Sequence, residues 1–312
     1  MKQLSGCAFA ALILWSVGAF AQGRAPEMSG TLTLSGAWAI YPTAVAWADA
    51  FQKAHPGVRV DVSAGGAGKG AADAISGLVD IGMVSREPDP AEIQRGIVLV
   101  LVLHDAVFAV MSDKNPFLAD LHKRGVKRQT LIDLYITGSA TSWHNLAGRT
   151  TNRSVHLFTR SDSCGAAASW AAYLGKKQED LRGVGIFGDP GILEAVKRDP
   201  VGIGFSNFSY VFDREGRILP GLALVPIDAN ESGVADPDEV FAGRAAAAKA
   251  IESKAYPVSR NNYFFTKGKP QGLAKAFIEF ALSDEGTRVV EAVGTSLPLP
   301  KTAREEELKR VR

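Results

Sequence analysis

Cysteine is almost missing from this chain. Only Cys7 and Cys164 are present, and Cys7 falls in a leader expected to be removed, so no intrachain disulfide can form in the remainder. An excess of one charge is missing too: 35 basic residues against 33 acidic ones leave +2. That balance supplies no basic stripe and argues against nucleic acid as a partner. The five histidines (His55, His104, His122, His144, His156) are scattered, and no HExxH, GxSxG or metal-ligand cluster is found. No metal, cofactor or nucleophile–base pair is therefore expected, and no enzyme. No repeat of fixed period occurs, which excludes solenoids and propellers.

Long apolar runs are also scarce. The one at the N-terminus, residues 8–20 (AFAALILWSVGAF), follows Lys2 and ends in Ala19-Phe20-Ala21. A short apolar core with small residues before the cut reads as a signal peptide over 1–21, cleaved near Ala21, and predicts an exported protein. The run falls short of the roughly 20 residues a bilayer span needs. Leu4-Ser5-Gly6-Cys7 has the letters of a lipoprotein box but precedes the apolar core instead of following it, which argues against lipidation. The remaining 291 residues (312 − 21) carry +1, because the leader removes one lysine and no acid.

What is abundant is alternating strand and helix text. Thr31–Ser35 and Val58–Val62 alternate polar and apolar residues, and Asp80–Val84 is a third strand. Between them, Pro42 opens a helix with Val45, Ala48 and Phe51 on one face, and Gly65–Gly70 turns into a helix over Ala71–Leu78. That order predicts an α/β fold with mainly parallel sheets flanked by helices. The run Ile97–Ser112 is too long for one ordinary strand; it is split near His104-Asp105, a crossing between two lobes. A second block follows: a strand Ser154–Thr159, a helix from Cys164 and a strand around Ile203–Phe205. Residues 228–239 read as a polar loop, and 301–312 as a solvated tail or terminal helix.

Three places carry candidate chemistry. Gly65-Gly66-Ala67-Gly68-Lys69-Gly70 fails the phosphate-loop pattern, since Ser63 stands at the first glycine position and Gly70 follows the lysine. A glycine turn feeding a helix still leaves backbone N–H groups free for an anion, or is simply a tight turn. Arg160-Ser161-Asp162-Ser163-Cys164-Gly165 sets an arginine beside a helix start, which is either two kinds of donor for one oxyanion or an ordinary cap with a surface arginine. Cys164 at that helix start, next to Arg160, is expected to have a lowered pKa and raised reactivity. Trp38, just after the first strand, is a core residue or a ligand contact.

Together these segments resemble the periplasmic phosphate-binding proteins that serve phosphate ABC transporters. Gly36…Ile40-Tyr41-Pro42 resembles their GSTTVYP opening, Ser63–Gly70 their GGGSGTG turn, and Val79-Asp80-Ile81-Gly82…Ser85-Arg86 their VDIA..SR segment. Ile136-Thr137-Gly138…Trp143-His144-Asn145-Leu146 is similar to FTGKITNWNDL, and Val201–Phe205 to GAIGY. Tyr256–Arg260 is similar to YPLSR, and Ser283–Gly286 to SPEGQ. Seven matches in order cover about Thr31 to Pro300.

The resemblance implies a type II periplasmic-binding-protein fold. Lobe 1 is discontinuous (28–105 plus 245–312), lobe 2 spans 106–244, and ligand sits in the cleft between them. It implies a monomeric solute-binding protein that captures phosphate or a related oxyanion and hands it to an inner-membrane ABC permease. The implied ligand-binding residues are Trp38, Ala39, Ala67, Gly68, Ser85, Arg86, Arg160, Asp162, Ser163, Cys164, Gly165 and Ala166. Arg160 and Arg86 would supply charge, and the N–H groups of Ala39, Gly68, Gly165 and Ala166 the rest of the cradle. The departures lie in this same site: Ala37, Trp38, Ala39 and Ala67 stand where the family has hydroxyl residues, and its R.D.SGT signature becomes Arg160, Asp162, Cys164, Gly165, Ala166. Each lost hydrogen bond to a charged ligand costs about 1.5–3 kcal/mol. An altered site on a kept scaffold leaves open a sensor or accessory protein for a different anion, with Trp38 against an organic group or Cys164 against a thiophilic oxyanion.

Overall fold

The computed structural model describes residues 28–312; the signal peptide expected over 1–21 lies outside them. Strands β1 (Gly30–Gly36), β2 (Val58–Ala64) and β3 (Ile81–Val84) form a parallel trio in the order β2-β1-β3. The helix Tyr41–Ala54 connects the first two and starts with proline in its first turn, where a missing N–H is harmless. Its buried stripe is Ala44, Trp47, Ala48 and Phe51. Val45, expected on that face, sits at its edge.

The helix after β2 runs from Ala67 to Ser76, four residues earlier than the sequence suggested. Gly68, Lys69 and Gly70 are therefore helical, and the glycines there answer a packing demand. A Cβ on Gly70 would stand 2.4 Å from the Met83 carbonyl oxygen and 2.9 Å from the Gly36 Cα. Only glycine lets this helix lie directly on β1 and β3.

β4 (Ile97–Ser112) is the long apolar run, and it is one unbroken strand of 16 residues. The expected split at His104-Asp105 is not a break in the chain but a change of partner. Up to Ala106, β4 pairs antiparallel with β11 (Ser259–Lys267); from Val107 on it pairs with β8 (Gly202–Asn207) and β9 (Leu222–Leu224). In the second lobe β8, β6 (His156–Arg160) and β7 (Val184–Ile186) are a second parallel trio. Each lobe's sheet is thus mixed, a parallel trio sewn to antiparallel crossing strands. The short strands β5 (Val126–Lys127) and β10 (Ile227–Asp228) pair apart from the main sheet, and β12 (Leu297–Pro298) adds to β4.

Two separate apolar cores follow from this layout. One gathers Leu32, Trp47, Phe51, Met83, Val100, Phe264 and Phe277; the other gathers Phe108, Trp143, Trp170, Phe205 and Phe208. The helix Arg244–Glu252 packs Ala247, Ala250 and Ile251 into the second core, and the Tyr256 hydroxyl donates to the Val107 carbonyl at 2.9 Å. The return to the first lobe therefore lies at β11, near 259, and not at 245. The charged C-terminus is a docked helix, Lys301–Val311: Val311 is buried, and the Leu101 N–H donates to Glu307 at 3.3 Å. Among the described residues no helix is long and apolar enough to cross a membrane.

The lobes are pinned where the crossing strands meet. Asp105 on β4 and Arg260 on β11 are directly opposed residues, and the guanidinium grips the carboxylate at 2.8 and 2.9 Å with both side chains out of water. Removing one partner strands the other's charge in the interior. Arg260→Ala is expected to lower unfolding free energy by about 3–5 kcal/mol in urea titrations. Arg198→Ala, which breaks only the exposed pair with Glu194, should change it by less than about 1 kcal/mol. Burial also holds the His104 pKa below its ordinary value of 6.5. The unfolded chain then binds the proton more readily, so stability is full above about pH 6.5 and falls as pH drops below it. A pH series of urea midpoints should show that limb, and His104→Gln should flatten it.

Candidate functional site

Parallel strands deliver their following residues to one edge of a sheet, and ligands of open α/β sheets gather at that edge. Here β1 ends at Gly36 and is followed by Trp38 and Ala39; β3 ends at Val84 and is followed by Ser85. From the second lobe, β6 ends on Arg160, and Asp162 to Ala166 follow it. With Arg86, which follows Ser85, ten of the twelve expected residues fall in these segments, and Ala67 and Gly68 open the helix beside them.

The lobes touch directly at this place. The Gly68 N–H donates to the Ser163 carbonyl at 3.0 Å, so it is engaged between lobes and is not free for an anion as expected. A Cβ on Gly68 would stand 2.2 Å from the Ser163 hydroxyl, and one on Gly165 would stand 2.1 Å from the Ser85 carbonyl oxygen. Glycine at both positions is what permits the approach. Trp38 crosses from the first lobe, donates its indole N–H to Asp162 at 3.2 Å, and packs edge-on against Phe187 and Tyr210 at 5.8 and 6.5 Å. Phe187 is 60% exposed, so this aromatic wall reaches solvent.

Arg160 is the centre of the site. Its side chain has no exposure, and its fork grips Asp162 at 2.9 and 2.8 Å while Nη1 donates to Asp189 at 2.9 Å. Burial opposes its charge, but Asp189 and Asp162 outweigh that and hold its pKa above the ordinary range. Each carboxylate accepts four hydrogen bonds. Asp162 takes two from Arg160, one from Trp38 and one from the Gly188 N–H at 3.2 Å. Asp189 takes one from Arg160, one from the Ser206 hydroxyl at 2.8 Å, and two from the backbone and side chain of Asn207, both at 2.8 Å. The Asn207 side-chain oxygen Oδ1 in turn accepts from Arg260, so the Asp105–Arg260 pair and the site arginine share one hydrogen-bonded chain.

Other expected donors are engaged elsewhere. Arg86 holds Glu92 with both nitrogens, at 2.9 and 2.6 Å, inside its own lobe; its charge is neutralised there and is not supplied to the cradle. Lys69 pairs with Asp73, which also accepts from Ser35. The N–H groups of Ala39, Gly165 and Ala166 find no acceptor among the described residues. Together with the buried Arg160, they can donate to one oxyanion at the lobe junction, and Gly165 and Ala166 open the helix Gly165–Tyr173, whose dipole favours negative charge there.

Cys164 overturns its sequence reading. It caps that helix, its sulfur accepting from the Ala167 N–H at 3.4 Å. Burial pushes the thiol up to about 12, against the lowering effect of Arg160. Desolvation wins because the sulfur has almost no contact with water. Folded protein at about pH 8 should therefore react with iodoacetamide at least a hundredfold more slowly than a free thiol, with full labelling only in denaturant, read by intact mass.

Asp189, Ser206 and Asn207 were not singled out in the sequence. The one available signal was an acidic residue in the first turn of the helix Gly188–Arg198, a common helix-start feature. Nothing local says that it faces an arginine 29 positions away.

The sequence profile of the PBP superfamily domain matches residues 22–285. The chain is 28% identical to the phosphate-binding protein PstS of Bacillus subtilis over 261 residues, 83% of this chain and 77% of that one. It is 24% identical to the protein SphX of Synechococcus elongatus, over 90% of this chain and 81% of that one. A Clostridium perfringens structure described as a candidate phosphate ABC transporter substrate-binding protein with bound phosphate superposes with TM-score 0.72 at 25% identity, covering 87% of this chain and all of the other. A phosphate transport receptor of Vibrio cholerae shares the fold, with TM-score 0.64 at 18% identity, over 86% of this chain and 100% of that one. By fold and by sequence, this chain belongs to the PBP superfamily.

Proposed function

We propose that the protein is an extracytoplasmic solute-binding protein that captures phosphate or a related inorganic oxyanion as a monomer and delivers it to an inner-membrane ABC permease. The observation that carries this reading is the buried Arg160 set beside the unengaged N–H groups of Ala39, Gly165 and Ala166 where the lobes meet. The PstS and SphX relatives support it. The residues at the junction bind and orient; the reading involves no bond-making step. Ala39 belongs to one lobe and Arg160, Gly165 and Ala166 to the other, so an anion held by all four favours the closed arrangement over the open one. Trp38 moves with the first lobe against Phe187 and Tyr210, which makes it a natural reporter of that motion.

A second reading keeps the fold and changes the ligand to a small organic anion read by a sensor. It is favoured by the aromatic wall of Trp38, Tyr210 and the exposed Phe187. Calorimetry separates the two. Phosphate should bind with a melting-temperature rise and a change in tryptophan fluorescence, and Arg160→Ala should remove binding. Absence of heat and of a melting shift with phosphate would sink the first reading, and native mass spectrometry of the purified protein would then identify an organic ligand.

A further inference from the structure

The charge of the buried cluster at the lobe junction is set by a residue of the second lobe's helix Gly188–Arg198. Arg160 contributes one positive charge, and Asp162 and Asp189 contribute two negative ones. Each carboxylate accepts from four donors and donates to none. Three other charged pairs of the segments that meet here are closed among themselves: Lys69 with Asp73, Arg86 with Glu92, and Arg260 with Asp105. The fixed side-chain charge that an anion meets is therefore negative by one unit. What remains attractive is the set of backbone N–H groups and a helix dipole worth about half a charge.

We infer that Asp189 is a specificity-determining residue that makes the site select singly charged oxyanions over doubly charged ones. This rests on the oxyanion reading and sharpens it. A monoanion is held by the amides and Arg160 with modest repulsion from the surplus carboxylate. A dianion feels that repulsion twice over, from a carboxylate whose own side chain is out of water. At an effective dielectric of about 20, one further unit charge a few ångströms from Asp189 lowers affinity by at least about tenfold. Asp162 does not have the same freedom, because it also receives Trp38 from the other lobe and so holds the lobes together. Asp189 receives only groups of its own lobe: Arg160, Ser206 and Asn207.

Phosphate is a convenient probe, since it passes from monoanion to dianion across neutral pH. The ionisable groups that face Asp189 are Arg160, Cys164 and Tyr210, with Asp162 on the other side of Arg160 and Arg260 reached through Asn207. None is a histidine, the side chain whose ordinary range falls in that interval. Burial raises the pKa of both Cys164 and Tyr210, keeping them neutral.

The test is calorimetry of wild type, Asp189→Asn and Ser206→Ala with phosphate at about pH 5.5 and about pH 8.5, and with sulfate at both values. Melting curves of each variant establish that it is folded. Wild type should bind phosphate at least about tenfold more weakly at the higher pH and should bind sulfate poorly throughout. Asp189→Asn removes the surplus charge; it should shrink the pH ratio to within about threefold and tighten sulfate by at least about tenfold. Ser206→Ala removes a bond to the same carboxylate but not its charge, so it should keep the wild-type ratio. A wild-type ratio near one, or a ratio that Asp189→Asn leaves unchanged, overturns the charge-selection inference while the oxyanion reading survives. No binding of either anion to any of the three proteins overturns both.

Discussion

One buried chain of polar contacts governs how the two lobes sit. It starts at the crossing strands with Asp105 and Arg260, passes through Asn207 to Asp189, and continues through Arg160 and Asp162 to Trp38 of the other lobe. Two guanidinium and three carboxyl groups out of water are costly, and mutual attraction offsets the cost only if nearly every donor and acceptor is used. That condition is met by the two carboxylates, with four donors each, and by the Asn207 amide, which donates to Asp189 and accepts from Arg260. A chain of this kind has few alternative arrangements, so the pose of Arg160 is fixed by its neighbours before any ligand is considered.

The apolar framework serves that chain. β4 is long enough to belong to both lobes, and its apolar face feeds the first core through Val100 and the second through Phe108. Because the strand is continuous, Asp105 has one defined position at the crossing, opposite Arg260 on β11. The glycines at the junction supply the complementary condition. Gly68 and Gly165 bring backbone of one lobe within contact of the other, which a single methyl group would prevent. The contact there is made by backbone at Gly68 and Ser163 and by side chains at Trp38 and Asp162.

Much of the architecture was legible beforehand. Alternation located β1 and β2, the length of Ile97–Ser112 betrayed the crossing, and the arginine before a helix start pointed to the candidate site. The errors share a cause. Val45, the helix start at Ala67, the lobe boundary at 245 and the freedom of Arg86 were judged from near neighbours in sequence, whereas each is settled by a packing partner. The helix Arg244–Glu252 joins the second lobe because of what Tyr256 and Ile251 touch. Arg86 is silent because Glu92 folds back to it across a turn.

By itself, the sequence determined the class of fold, the order of its elements and the presence of an arginine at a helix N-terminus, because these follow from periodicity, caps and local spacing. Only the tertiary structure decided the state of that site. Cys164 is a local candidate for a reactive thiol and an inert one once buried, and Arg160 is a lone cation in sequence but lies between two carboxylates in space. Charge and desolvation depend on everything within a few ångströms, and those neighbours are contributed by strands and helices far apart in the chain.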